Sequence, residues 1–155
     1  MVVSRWNDAL TSRLADGAVE ALSSAGAAAD MIGIFHVPGA FELPLACLKA
    51  AQSGDFDAII ALGVVIRGDT PHFDYVAGQA SAGIMQASLQ TGIPVLFGVI
   101  TADNFEQAKA RSGEKADNKG YEAALSAVEM VNLLGEMSER SKQGGRGSKV
   151  FPHVV

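Results

Sequence analysis

The chain lacks most of what would place it in several large function classes. Its single cysteine, Cys47, stands alone among 155 residues. No disulfide framework can form within it, and a reducing, cytoplasmic setting is the default expectation. The longest apolar stretch, residues 57–66, is too short to cross a bilayer as a helix, and no signal-peptide pattern opens the chain, so no membrane partner is expected. Twelve Lys and Arg oppose seventeen Asp and Glu, for a net charge of −5. The basic residues are scattered and not gathered in the stripe a nucleic-acid binder shows. The one basic cluster, Arg140, Lys142, Arg146 and Lys149, reads as a solvated linker. Gly63, Gly68 and Gly98 lack the spacing of a dinucleotide or P-loop fingerprint. Aromatics are scarce, at 6% of residues.

What is present is alanine, glycine and alternation. Apolar residues form 48% of the chain, enough to bury the core of one domain. A short β-branched run at 1–4 precedes a helix that Asn7 or Asp8 can cap. Leu10, Leu14, Ala18, Leu22 and Ala25 repeat along that helix at helical spacing, and Gly26 closes it. Residues 31–37 read as a strand stopped by Pro38-Gly39, and 41–52 as a helix that carries Pro44 in its first turn. Residues 57–65 form a continuous apolar run, the pattern of a parallel strand buried on both faces. Pro71 is placed to start the next helix, which carries Val76, Ala80, Ile84 and Ala87 on one face and ends at Gly92. A buried strand over 93–101, a short helix over 105–111 and a long helix from 119 to about 142 follow. The long helix bears Tyr121, Ala124, Leu125, Val128 and Val131. Strand and helix alternate throughout, which predicts an α/β fold: a three-layer α/β/α sandwich around a parallel four-stranded sheet. Ligands of such sheets bind beyond the carboxyl ends of the strands. The loops at 5–8, 38–42 and 64–72, and the segment after Val99, are therefore where chemistry is sought.

The richest of these is Ile66-Arg67-Gly68-Asp69-Thr70-Pro71-His72-Phe73-Asp74-Tyr75. Free amides at a helix start and the Thr70 hydroxyl favour an anion, and Gly68 lets a ligand approach the backbone. His72 offers an imidazole for proton transfer near neutral pH, with a capping or packing histidine as the equal alternative. His36 in a strand and His153 in the tail read as structural. Arg111 can clamp a phosphate or be a solvated helix-end charge. Lys115 and Lys119 flank a turn and helix start. Glu42 can accept hydrogen bonds from a polyol or simply favour a helix dipole. Trp6, after a strand end, can stack on a heterocycle or pack under a loop.

Taken together, the motifs are recognisable. Ser4-Arg5-Trp6-Asn7, Val37-Pro38-Gly39-Ala40-Phe41-Glu42, the run from Gly63 through Tyr75, Phe97-Gly98-Val99-Ile100-Thr101 and Asn118-Lys119-Gly120 followed by Glu122-Ala123-Ala124 resemble lumazine synthases. The resemblance runs from Ser4 to about Leu134. It implies a flavodoxin-like fold and a cofactor-free, metal-free transferase of riboflavin biosynthesis. That enzyme would join 5-amino-6-(D-ribitylamino)uracil to 3,4-dihydroxy-2-butanone 4-phosphate, giving 6,7-dimethyl-8-ribityllumazine, phosphate and water. By position, Trp6 would stack on the pyrimidine, where the family usually has phenylalanine. Ala40, Phe41 and Glu42 would hold the ribityl chain and ring, and Val64, Val65 and Ile66 would line the pyrimidine side. Asp69 and Thr70 with Arg111 would hold the butanone phosphate, Phe97 would complete the wall, His72 would relay protons, and Lys119 would add positive charge. The family also implies pentamers with active sites between subunits, in some members built into shells of sixty copies. A non-catalytic flavin or lumazine binder and a scaffold subunit are the rival readings, and the His72, Arg111 and Lys119 set argues against both as sole functions.

The termini depart from the family. The family's first strand begins well before the motif that here follows Met1. Beyond a domain at 1–142 come a glycine-rich linker at 143–148 and an apolar tail at 149–155. A circular permutation, with the tail completing the first strand, is the expectation, and a natural extension is the alternative.

Overall fold

The computed structural model describes residues 1–144, with side chains to Lys142. The strands are β1 (Val2–Ser4), β2 (Phe35–Val37), β3 (Ile59–Ile66) and β4 (Val95–Ala102). The helices are α1 (Asp8–Ser24), α2 (Leu43–Ser53), α3 (His72–Thr91), α4 (Phe105–Ala110) and α5 (Lys119–Gly144). The four strands form one wholly parallel sheet in the order β2-β1-β3-β4. The predicted three-layer α/β architecture is what forms.

Alternation along β3 explains the layers. Ile60, Leu62 and Val64 face a core shared with Leu10, Leu14 and Ala18 of α1 and Ala123, Ala124 and Ala127 of α5. Ile59, Ala61 and Val65 face the opposite core, built with Leu43 and Cys47 of α2 and Val76, Ala80, Ile84 and Ala87 of α3. A strand covered on both faces has no polar side to show, hence its unbroken apolar run. The Cys47 thiol is fully buried in the second core, and burial pushes its pKa up to about 12.

Small residues set the helix spacing. A methyl group on Gly120 of α5 would sit 2.0 Å from the Leu14 carbonyl oxygen of α1, and one on Gly83 of α3 would sit 2.6 Å from Pro44 of α2. Gly26, Gly54 and Gly92 close α1, α2 and α3 with positive φ, the left-handed conformation that glycine adopts without a steric penalty.

Three expectations need correction. The strand expected over 31–37 is only Phe35–Val37, and a 3-10 turn occupies Ala29–Met31. β2 is an edge strand whose one partner, β1, is three residues long, so the apolar residues before Phe35 have no ladder to join. The helix expected from Phe41 starts at Leu43, after a 3-10 turn at Ala40–Glu42. Leu125, counted in the apolar set of α5, is 46% exposed, because Ala123, Ala124 and Ala127 take the inward face. The long helix is found as expected, running to Gly144 and so reaching the first two residues of the expected linker. The rest of that linker and the 149–155 tail, with His153, lie outside the described residues.

Candidate active site

The chain passes from β1 outward to β2, then back across β1 to β3, so the sheet has its topological switch between β1 and β3. At such a switch the loops leaving the strands diverge and open a crevice. Trp6 and Asn7 follow β1, Ala40 follows β2, and Val64, Val65 and Ile66 end β3. With Gly68, Thr70, His72, Phe73 and Val76 they line a cavity of about 220 Å³. Of the residues singled out in the sequence, this cavity brings together Trp6, Ala40, Val64, Val65, Ile66, Gly68, Thr70 and His72.

The indole of Trp6 is 62% exposed and lies against Gly39, where a methyl group would come within 2.8 Å of the ring. Glycine is what lets the chain pass under the aromatic plane. The Gly39 N–H donates to a Glu42 carboxylate oxygen at 2.9 Å. The bland expectation for Glu42 is thus met in part: its carboxylate closes a turn, in capping-box fashion. Phe41 and Glu42 are both exposed beside Ala40 but do not line the cavity.

Asn7 behaves differently from the expected cap. It is the N-cap residue of α1 with φ of 62°, and its side chain makes no cap hydrogen bond. Its amide instead donates to the Val64 carbonyl at 3.0 Å. This ties the end of β1 to the cavity wall formed by β3. Asparagine tolerates the left-handed conformation better than most residues, which suits it to this position.

The β3–α3 loop carries Asp69 and Thr70. The His72 N–H points to the Thr70 hydroxyl at 3.5 Å, and Pro71 gives α3 no side-chain cap. The Asp74 N–H donates to the Pro71 carbonyl at 3.0 Å, so the Phe73 N–H, and that of His72 if its long contact is given up, are the amides left to an anion. Asp69 is exposed beside Thr70 and lies off the cavity lining. Arg67 steadies the loop. Its guanidinium donates to Asp74 at 3.0 Å and to Asp103 at 3.2 Å, and stacks 4.1 Å from the centre of the Phe73 ring. The hydrogen bond to Asp74, with help from Asp103, raises its pKa further above the ordinary arginine value.

The remaining residues lie elsewhere. Phe97 on the edge strand β4 and Lys119 at the start of α5 line a separate groove of about 380 Å³ with Leu96, Glu122, Ala123, Leu125, Ser126 and Glu129. Lys119 pairs its ammonium with Glu122. Arg111 follows α4, and its carbonyl accepts the Lys119 N–H at 2.9 Å, so the two cations belong to one corner of the molecule. The Arg111 guanidinium makes no ion pair among the described residues. Neither wall shares a residue with the other.

Sequence reasoning missed Asn7, Phe73 and Val76 as cavity residues. Asn7 stood in a loop already marked, and its position was the available signal. Phe73 and Val76 read as helix residues, and only the packing of α3 turns them to the cavity.

Comparison with known proteins bears on both walls. A sequence model of the family described as 6,7-dimethyl-8-ribityllumazine synthase matches residues 1–135. The 6,7-dimethyl-8-ribityllumazine synthase of Chlorobium chlorochromatii (strain CaD3) is 54% identical over 137 residues, covering 88% of each chain. That of Chlorobium luteolum (strain DSM 273 / BCRC 81028 / 2530) is 53% identical, again over 88% of each. That of Syntrophus aciditrophicus (strain SB) is 55% identical over 88% of this chain and 89% of its own.

Proposed function

The chain belongs to the 6,7-dimethyl-8-ribityllumazine synthase family, and on that premise we propose that it forms the lumazine of riboflavin biosynthesis at a site shared by two copies of itself. The substrates are 5-amino-6-(D-ribitylamino)uracil and 3,4-dihydroxy-2-butanone 4-phosphate, and phosphate and water leave with the product.

The observation that carries the shared site is the separation of the two walls. The cavity has Trp6, the β3 edge and His72 but no free cation among its lining residues, and the groove has Phe97 and Lys119 but no histidine. At about 220 Å³ the cavity is also smaller than the ~300–1,000 Å³ usual for a complete small-molecule site. A neighbouring copy that lays its groove over the cavity supplies the missing wall. The resemblance points to a pentamer for this arrangement, with larger shells as a further assembly of the same contacts. No helix among the described residues is long and apolar enough to cross a membrane, and the lone buried thiol suits a reducing cytoplasm.

Within that frame the chemistry follows from the groups. The pyrimidine stacks on Trp6, with its polar edge toward the backbone of Val64, Val65 and Ile66. Ala40, Phe41 and Glu42 border the ribityl chain. The butanone phosphate sits at the opening of α3 by Asp69 and Thr70, facing Arg111 of the neighbour. The substrate amine attacks the ketone carbon, and loss of water leaves a Schiff base. Removal of the C3 proton then expels phosphate from C4 and leaves an enol, whose tautomerisation gives a C3 carbonyl; attack by the second amine there closes the ring with loss of another water. These steps move protons on and off nitrogen, oxygen and C3 of the butanone, the task His72 is placed to perform, while Lys119 and Arg111 offset the developing negative charge. Holding two reactants in register is the larger part of such catalysis.

The test is lumazine formation from the two substrates, followed by absorbance and fluorescence. Production well above the uncatalysed rate is expected. Arg111→Ala should lower affinity for the butanone phosphate by ~10–100-fold, the value of a charge-assisted contact to a phosphate. Inorganic phosphate binding unchanged by Arg111→Ala would remove that residue from the site.

A further inference from the structure

The groove wall depends on one side chain that touches neither groove nor cavity. Asn118 is 2% exposed, yet every hydrogen-bonding position of its amide is used. Its Oδ1 accepts from the N–H groups of Gly120 at 2.9 Å and Tyr121 at 3.1 Å, which caps α5. Its Nδ2 donates to the Arg13 carbonyl of α1 at 2.8 Å and to the Gly113 carbonyl of the preceding loop at 3.0 Å. A cap alone requires only the oxygen, and serine, threonine or aspartate would provide it. Both donors are spent on tying three segments together. The fold makes room for this: a methyl group on Gly17 of α1 would lie 2.6 Å from the Asn118 amide.

The segments so tied are those that carry the two cations. Asn118 precedes Lys119 in the chain and forms a bridge with Ser112, the neighbour of Arg111, and the Lys119 N–H closes onto the Arg111 carbonyl. We infer that Asn118 is a positioning residue that holds Arg111 and Lys119 together as one anion-binding pair, by fixing the 111–118 loop and the start of α5 onto α1. The inference rests on the anion role proposed above for the two cations.

Two probes separate positioning from simple stability: inorganic phosphate, which reads the cations, and ribitylaminouracil, which reads the cavity. Asn118→Ser keeps a helix cap but loses both donors. On the assembled protein it should weaken phosphate binding by ~10-fold and change ribitylaminouracil binding by less than about twofold. Gly17→Ala presses on the same amide from α1 and should give the same split at about threefold. In the Asn118→Ser background, where the shorter side chain leaves space, Gly17→Ala should add little. If Asn118→Ser fails to assemble, Gly17→Ala carries the same readings. Unchanged phosphate affinity, or equal losses for both probes, would reduce Asn118 to a structural cap and overturn the inference. Arg111→Ala is the control: if it leaves phosphate affinity intact, the anion role falls and this inference with it. If Arg111→Ala weakens phosphate and Asn118→Ser does not, the positioning role alone is refuted.

Discussion

The Trp6–His72 cavity and the Phe97–Lys119 groove are built in opposite ways. The cavity stands on the carboxyl ends of β1, β2 and β3, so its walls are fixed by a sheet that both cores hold in place. The groove stands on an edge strand and on the first turns of α5, which the first core holds through Ala123, Ala124 and Ala127 and which close contacts around Asn118 and Gly120 orient against α1. One wall is a consequence of topology, and the other of a few close approaches between helices. The second should be far easier to disturb without touching the first.

The sharpest way to separate the walls is Gly120→Ala. Its methyl group would stand 2.0 Å from the Leu14 carbonyl oxygen, so α5 must back away from α1 at a cost of ~3 kcal/mol, the upper end for overpacking. Phosphate binding should be lost while the cavity still binds ribitylaminouracil, a split that titrations with the two ligands would detect. Equal loss of both would mean the walls are not independent. A smaller effect is expected on the cavity side. His72→Ala should slow turnover by about tenfold, below the usual range for proton transfer because His72 is exposed and water can relay in its place. Inorganic phosphate affinity should stay nearly intact, as comparison of single-turnover rates and phosphate titrations would show.

The difference between the walls also explains what the sequence disclosed. β3 and the α3 face of Val76, Ala80, Ile84 and Ala87 follow directly from apolar periodicity, because each element is packed against the sheet along its length. The loops at strand ends were marked by the parallel architecture, and Trp6, Thr70 and His72 indeed meet there. Strand β2 was read too long because its length is set by β1, a partner that local pattern does not reveal. The double role of Asn118 and the diversion of Asn7 to the Val64 carbonyl were hidden for the same reason: both depend on segments distant in the chain. Arg111 and Lys119 stood out as cations at helix ends, but Phe97 and the grouping of all three with Trp6 came from the family resemblance, and no spacing rule would have supplied it.

The central claim, that each site takes one wall from each of two copies, is tested most directly by complementation. Arg111→Ala chains and Trp6→Ala/His72→Ala chains are unfolded together, reassembled as a 1:1 mixture and assayed for lumazine formation beside each variant alone. With heterologous head-to-tail contacts, about one quarter of the sites in a random ring pair an intact cavity with an intact cation wall. Activity near a quarter of the native level, well above either parent, is the predicted result. A mixture no more active than the average of its two parents would contradict the shared site and return all the chemistry to a single chain.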